Sequence, residues 1–380
     1  MEVVDYELYP LAHKSQLLKL ETDTGLVGWG EPVVEGKDRS TAAAVEELLE
    51  DYLLGVDPRH VERHWQRMYR GGFYRGGPVL MAAIAGIDQA LWDLKGKHYD
   101  LPAYELLGGR SRDRVQLYTH VHGETPGEHA DAAAAAVEDG FQVLKTSPKQ
   151  PFRRVDSRAA IDSVVDILRA IRGAVDDDVM VGVDFHGRIA KPMAGRLAEA
   201  LEPHDPMFYE EPVLAEHNDA LETVARATTV PIATGERMFS RWDFKRAFAS
   251  GTVDIAQPDV SHAGGITEVK KIADMAEAYD VALAPHCPLG PVSLAACLQV
   301  DACSPSALVQ EQVVHRGGVP DWVANPDLFE YGDGGYVSLP DGPGLGIEID
   351  EAALREVGDG DEEPWKPPEW SHADGSVAEW

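Results

Sequence analysis

Asp184, Glu210 and Glu236 stand 26 and 26 residues apart, and each closes a short apolar run. The runs are Val179-Met180-Val181-Gly182-Val183, Met207-Phe208-Tyr209 and Pro231-Ile232-Ala233-Thr234-Gly235. Three converging carboxylates repel one another unless a cation lies between them. Oxygen donors without cysteine favour Mg²⁺ over zinc. The series continues with Asp259, His286 and Glu311 at steps of 23, 27 and 25. Neighbouring barrel strands lie about 5 Å apart, so Asp259 can reach the ring of His286. A carboxylate on one ring nitrogen fixes the tautomer and raises the basicity of the other, which makes a general base; the bland alternative is a core histidine with a structural hydrogen bond. His186 follows Asp184 by two residues, and in an extended strand the two side chains share a side. It is either a fourth ligand or a proton donor. Oxygen-rich Mg²⁺ sites seldom recruit imidazole, which favours proton transfer. Arg188 and Arg237 could steady carboxylates, bind substrate or form structural ion pairs. A metal, a histidine base and a second histidine suit removal of a proton beside a carboxylate. An acid on the neighbouring hydroxyl would turn that step into a dehydration.

A step of about 25 residues fits one strand, a loop and a helix, the βα unit. Candidate strands are 115–121, 143–147, 179–184, 207–210, 232–236, 253–259, 281–286 and 308–311. Eight strands close a filled barrel, whose active site gathers at the strand ends. Ala-rich amphipathic segments at 128–138, 157–173 and 266–279 supply helices between them. Residues 1–30 instead read as a strand meander, followed by helices at 41–54 and 79–98. Strands followed by helices without alternation predict a separate α+β unit. After about residue 315 the barrel pattern fades, apart from a strand-like 346–349. Trp365, Trp370 and Trp380 are expected to pack this tail onto the first unit.

Across nearly its whole length the chain resembles the mandelate racemase subgroup of the enolase superfamily, and within it the D-galactonate dehydratases. The likeness rests on Gly71-Gly72-Phe73-Tyr74-Arg75-Gly76-Gly77-Pro78, Asp184-Phe185-His186-Gly187-Arg188, Glu210-Glu211-Pro212 and Gly235-Glu236-Arg237. It continues through Gln257-Pro258-Asp259, Ser261-His262-Ala263-Gly264-Gly265 and His286-Cys287-Pro288-Leu289-Gly290-Pro291. The resemblance implies an α/β fold, a modified (β/α)7-8 TIM barrel at 115–340. It also implies an N-terminal capping domain at 1–114, completed by the tail at 341–380. One Mg²⁺ per subunit would sit on Asp184, Glu210 and Glu236. His286, supported by Asp259, would be the base at C2, and His186 the acid at the 3-hydroxyl. Glu311 would face the substrate carboxylate. Lys145, Arg237, His122 and Lys14 are the further substrate-binding candidates, Lys14 from a specificity loop at 10–16. Racemases of the subgroup carry a lysine pair on the second strand. Here the residues are Lys145-Thr146-Ser147, which favours a lyase. The expected reaction turns an aldonate, D-galactonate first, into a 2-keto-3-deoxy acid. Gluconate or a pentonate (arabinonate or xylonate) is the alternative substrate. An epimerase or racemase, and a non-catalytic sugar-acid binding protein, are the competing readings. A homo-oligomer, octamer or dimer, is implied.

Sixty-five acids against 34 bases give a formal charge of −31 over 380 residues. Such a field repels phosphate backbones and anionic membranes, so neither nucleic acid nor membrane is an expected partner. The 44% hydrophobic share excludes wholesale disorder, and no apolar run approaches a bilayer-spanning length. The N-terminus lacks a signal-peptide pattern, giving a cytoplasmic reading. Cys287, Cys297 and Cys303 lack metal-binding spacing and read as core thiols. Diffuse acidity with few lysines points to a halophilic source, where salt screens self-repulsion. Dialysis below about 0.1 M salt, where unscreened repulsion extends beyond ~10 Å, is therefore expected to abolish the circular-dichroism signature of the fold; a signal unchanged in low salt would count against it.

Overall fold

The computed structural model describes residues 1–11, 15–148, 151–358 and 365–379. Lys14 and Trp380 lie outside them. The N-terminal meander forms as expected: β1 (Val3–Leu11), β2 (Ser15–Thr22) and β3 (Val27–Gly30) pair antiparallel in that order. Four helices follow: α1 (Asp38–Tyr52), α2 (Val61–Gly71), α3 (Pro78–Tyr99) and the short α4 (Ala103–Leu106). α2 was not anticipated. Its buried Val61, His64, Trp65 and Met68 follow helical spacing, but the charges between them mask that stripe. α3 is apolar on nearly every face because β3 covers one side and the barrel another. At the first contact Gly30 leaves no room for a Cβ, which would meet the Gly86 carbonyl oxygen at 1.9 Å.

The barrel strands are β4 (Arg114–His120), β5 (Val143–Thr146), β6 (Met180–Asp184) and β7 (Tyr209–Glu210), then β8 (Ile232–Thr234), β9 (Ile255–Ala256), β10 (Ala282–Leu283) and β11 (Gln310–Glu311). Between them run α5 (Pro126–Glu138), α6 (Arg158–Ala174), α7 (Lys191–Leu201), α8 (Leu221–Ala225), α9 (Arg241–Ser250), α10 (Gly265–Ala278) and α11 (Pro291–Ala302). Capping sets several helix starts. Thr125 and Glu128 form a reciprocal box before α5, and Ser157 caps α6. β4 to β10 pair parallel in chain order, and β11 pairs parallel with β4. The seam between β10 and β11 is closed by the Leu283–Ala307 bridge, with Leu308 N–H donating to the Leu283 carbonyl at 2.7 Å. The barrel therefore closes. Its interior is filled by Tyr118, Val143, Phe208, Ala233, Ile255, Ala284 and Val309.

Beyond the barrel lie α12 (Val314–Gly317), a hairpin of β12 (Tyr331–Gly332) and β13 (Tyr336–Ser338), and α13 (Glu351–Gly358). Segment 346–349 forms only one bridge, Val323 to Ile349, rather than a strand. α13 packs on the meander, where Glu351 meets Lys19 of β2 at 2.6 Å and Arg355 meets Glu7 of β1 at 2.5 Å. Among the described residues, no helix is long and apolar enough to cross a membrane.

A buried polar seam fixes the cap to the barrel. Glu31 accepts the Gly290 and Ser293 N–H groups at 2.8 Å each, at the start of α11. From α3, Asp88 accepts the Thr267 N–H at 2.9 Å and Gln89 donates to Ser261 Oγ at 3.0 Å. Trp65 of α2 donates to the Gly264 carbonyl at 2.7 Å. These contacts hold the cap over one end of the barrel.

One buried acid takes no part in this seam. Among the described residues, Asp301 on α11 has no hydrogen-bond partner on either carboxyl oxygen, and burial pushes its pKa up to about 8. The folded chain thus keeps a proton that the unfolded chain releases near pH 4. The stability contributed by this group is full below that pH and is lost as pH rises toward about 8. Asp301→Asn is expected to raise the melting temperature at pH 8 and to change it little near pH 4, measured by calorimetry at both.

Candidate functional site

The strand ends gather the expected polar groups at the end of the barrel beneath the cap. Asp184 closes β6 and Glu210 closes β7, directly paired in register. Glu236 lies two residues beyond β8. Asp259 and His286, beyond β9 and β10, form a parallel bridge with each other, and Glu311 closes β11. A cavity of about 320 Å³ opens over them, lined by Lys145, Asp184, His186, Glu236, Arg237, His286 and Glu311. His120 and His262 also line it, as do Val34, Glu35, Pro78, Trp365 and Pro367 from the cap and tail.

The acids crowd one another. Burial and the nearby Asp184 charge raise Glu210 well above the carboxylate range. Glu236 is pushed up to about 7, chiefly by burial, with Glu211 and Asp184 adding to it against His286. Lys145 is the balancing cation, with Nζ 2.7 Å from Glu210, 2.7 Å from Glu311 and 3.5 Å from Asp184. Gln257 donates to the other Glu210 oxygen at 2.7 Å. Buried, mutually repelling carboxylates are the donor set that a hard divalent cation relieves, so these residues fit Mg²⁺. Among the described residues, the tight group of metal-capable side chains is a different one: Asp259, His262 and His286, with ligand atoms within 4.8 Å of one another. There Asp259 and His286 are already engaged with each other. His286 Nδ1 meets Asp259 Oδ2 at 2.8 Å, while Asp259 Oδ1 accepts the Ser261 and His262 N–H groups at 2.7 and 3.0 Å.

The two histidines flank the acids. His286 Nε2 faces Glu236 at 3.2 Å and Glu311 at 3.9 Å. Burial alone would lower its pKa, but Glu311, Glu236 and Asp259 raise it well above the usual value. His186 Nε2 lies 3.2 Å from Asp184 Oδ2. It gets there by a turn, not by the extended strand predicted: β6 ends at Asp184, His186 has φ +50°, and its N–H donates to Asp184 Oδ1 at 2.8 Å. Burial pushes His186 down to about 4, against the pull of Asp184. Its uncharged form is therefore favoured, and an acid role needs the added negative charge of a bound acid.

Glu311 is held from three sides, by Lys145, by His120 Nε2 at 2.6 Å and by the Cys287 N–H at 2.8 Å. Although burial opposes it, Lys145, His286 and His120 keep its pKa well below the usual range. Arg237 lines the cavity while pairing with Glu211 and lying 3.7 Å from Glu236. Arg188 is turned away, donating to the Pro148 carbonyl at 2.6 Å under the Trp370 ring. His122 packs edge-on against His120 and is not a lining residue. Lys14 lies outside the described residues.

Sequence reasoning did not select His120, His262, Gln257, Glu211, Glu35 or Trp365 as site residues. Four of them were legible in part: His120 sits at a strand end, and Glu211, Gln257 and His262 sit inside motifs already noted. Glu35 and Trp365 come from the cap and tail, whose meeting no local pattern announces.

Residues 12–108 match the family described as the mandelate racemase/muconate lactonizing enzyme N-terminal domain, and residues 128–353 match the enolase C-terminal domain-like family. A D-galactonate dehydratase of Ralstonia nicotianae is 51% identical, with all of both chains covered. One of Xanthomonas axonopodis pv. citri is 48% identical, again over all of both chains. The solved mandelate racemase/muconate lactonizing enzyme from Jannaschia sp. superposes with TM-score 0.86 at 31% identity, covering 96% of this chain and 99% of that one. An enolase from Agrobacterium radiobacter, bound to Na and L-malate, gives TM-score 0.90 at 30% identity with both chains fully covered.

Replacing Lys145 by Met removes the buried cation from among three carboxylates. Without divalent ion this is expected to cost about 3–5 kcal/mol, and less with Mg²⁺ present. Denaturant unfolding with EDTA and with Mg²⁺ compares the two.

Proposed function

Because the chain belongs to the mandelate racemase/muconate lactonizing enzyme family of enolase-like proteins, we propose that it is a hydro-lyase that dehydrates a sugar acid, D-galactonate first. The observation that carries this reading is the pair of imidazoles on either flank of the carboxylates: His286, hydrogen-bonded to Asp259, and His186, beside Asp184. A base on one side of a bound acid and a proton donor on the other suit loss of water across C2 and C3. Support for a lyase over a racemase comes from Ser147, which leaves Lys145 without a second lysine two residues on. Full-length relatives named D-galactonate dehydratase support the substrate class.

Asp184, Glu210 and Glu236 would hold Mg²⁺, which when bound stabilises negative charge on the substrate carboxylate. The chain's own groups do the rest. His286, whose proton the facing Glu236 favours, becomes a base once Glu236 serves as a metal ligand; its Nε2 then takes the C2 proton, with Asp259 holding Nδ1 and steadying the imidazolium. Lys145 and Glu311 orient the carboxylate end. His186 gives a proton to the departing 3-hydroxyl, which leaves as water, and the enol tautomerises to the 2-keto-3-deoxy acid. The same reading takes 1–114 as the cap, 115–340 as the barrel and 341–380 as the completing tail, in a cytoplasmic homo-oligomer, octamer or dimer, from a halophilic source.

His286→Asn is expected to abolish both deuterium exchange at C2 in D₂O and formation of the 2-keto product, by at least about 10²-fold. His186→Asn should block product formation while retaining exchange. Loss of exchange in the second variant, or its retention in the first, would reverse the assignments.

A further inference from the structure

Five of the cavity-lining residues come from the cap and tail rather than the barrel: Val34, Glu35, Pro78, Trp365 and Pro367. Glu35 is the only ionisable group among them. On the far side it meets the barrel, with Oε2 3.6 Å from His262 Nε2, while His262 Nδ1 lies 3.5 Å from Asp259. Asp38, three residues on, feels the same charge: burial first and then the Glu35 carboxylate raise its pKa. The tail seats this loop. Gly36, at φ +73°, is approached so closely that a Cβ would meet Pro367 Cδ at 3.0 Å and Trp365 Cε3 at 3.6 Å. Glu35 is thereby held at the cavity wall by the same residues that form the wall beside it.

We propose that Glu35, with His262 and Trp365, forms a subsite for the uncharged, hydroxylated end of the acid and excludes ligands that carry a second carboxylate there. The inference rests on the reading above, in which the reacting end of the acid (C1 to C3) is committed to the barrel groups. The chain from C4 onward then lies along the wall carrying Glu35. An ionised carboxylate accepts hydrogen bonds from hydroxyl groups. His262 Nε2, buried and without a hydrogen-bond partner among the described residues, is a second polar atom for a hydroxyl, which both donates and accepts, and the Trp365 ring is an apolar face for the C–H side of the chain. Against a terminal carboxylate the same Glu35 is a like charge in a partly buried place, where salt screens poorly. The subsite therefore selects aldonates over aldarates. It does so by repulsion of the wrong ligand as much as by contacts to the right one.

The test compares D-galactonate with galactarate, which share every stereocentre and differ only in whether C6 is an alcohol or a carboxylate. Binding is measured calorimetrically in Mg²⁺ on the full chain carrying His286→Asn, so that neither acid is consumed. The expected result is at least a tenfold preference for galactonate. Adding Glu35→Gln should narrow that preference about tenfold, mainly through tighter galactarate binding, and adding Glu35→Asp should keep it. Should the Gln variant fail to fold, Glu35→Ala reads the same ratio. Both acids binding with a ratio unmoved by loss of the Glu35 charge overturns the subsite alone. Binding of neither acid overturns the functional reading and the subsite with it.

Discussion

The constraint on which this structure turns is the packing of several carboxylates at the end of a barrel that largely excludes water. Two carboxylates in that setting cannot both stay ionised without a compensating charge. A central counter-charge is the buried Lys145, whose Nζ reaches groups on three different strands, with Arg237 beside Glu211 and Glu236 at the edge. The rest of the site is arranged around what that cation leaves unpaired. Glu311, with Lys145, His120 and a backbone N–H as donors, is fixed as an anion. Glu210 and Glu236, less fully compensated, are driven toward protonation. The imbalance is itself an argument for a divalent ion among them.

The strand-end groups and the wall above them belong to separate parts of the fold. The groups that would move protons stand at the ends of barrel strands, whose directions are set by parallel pairing around a closed ring. The wall facing the remainder of a ligand is built from a loop after β3 and from the tail. Glu31 and Gln89 lock these two parts together through backbone and hydroxyl partners on the barrel. The cap is thus mounted on the helices that follow β9 and β10, the strands leading to Asp259 and His286.

Much of this was legible before any coordinates, and the reason is periodic. A parallel barrel repeats one βα unit, so polar residues ending apolar runs at near-constant spacing mark its rim. The positions of Asp184, Glu210, Glu236, Asp259, His286 and Glu311 follow from that alone. Strand lengths did not follow. The run 253–259 reads as one strand from sequence, whereas the ladder at β9 spans only Ile255–Ala256. The reach of His186 was anticipated for the wrong reason: a left-handed turn brings it back to Asp184, and nothing in Asp-Phe-His-Gly distinguishes that turn from a continuing strand. Helix α2 was hidden by its charged face. Glu35 and Trp365 could not be placed at all, since their approach is set by the docking of the cap and tail.

The tail's hold on Gly36 carries an evolutionary consequence. A wall assembled from segments distant in the chain can be revised from either side, by one substitution near the start or by a change near the end, while the proton-moving groups below stay untouched. On the reading proposed above, a change of ligand needs only a change in that roof. The same division exposes a weakness: a lesion in the tail that spares the barrel would leave the strand-end groups in place and the wall above them incomplete.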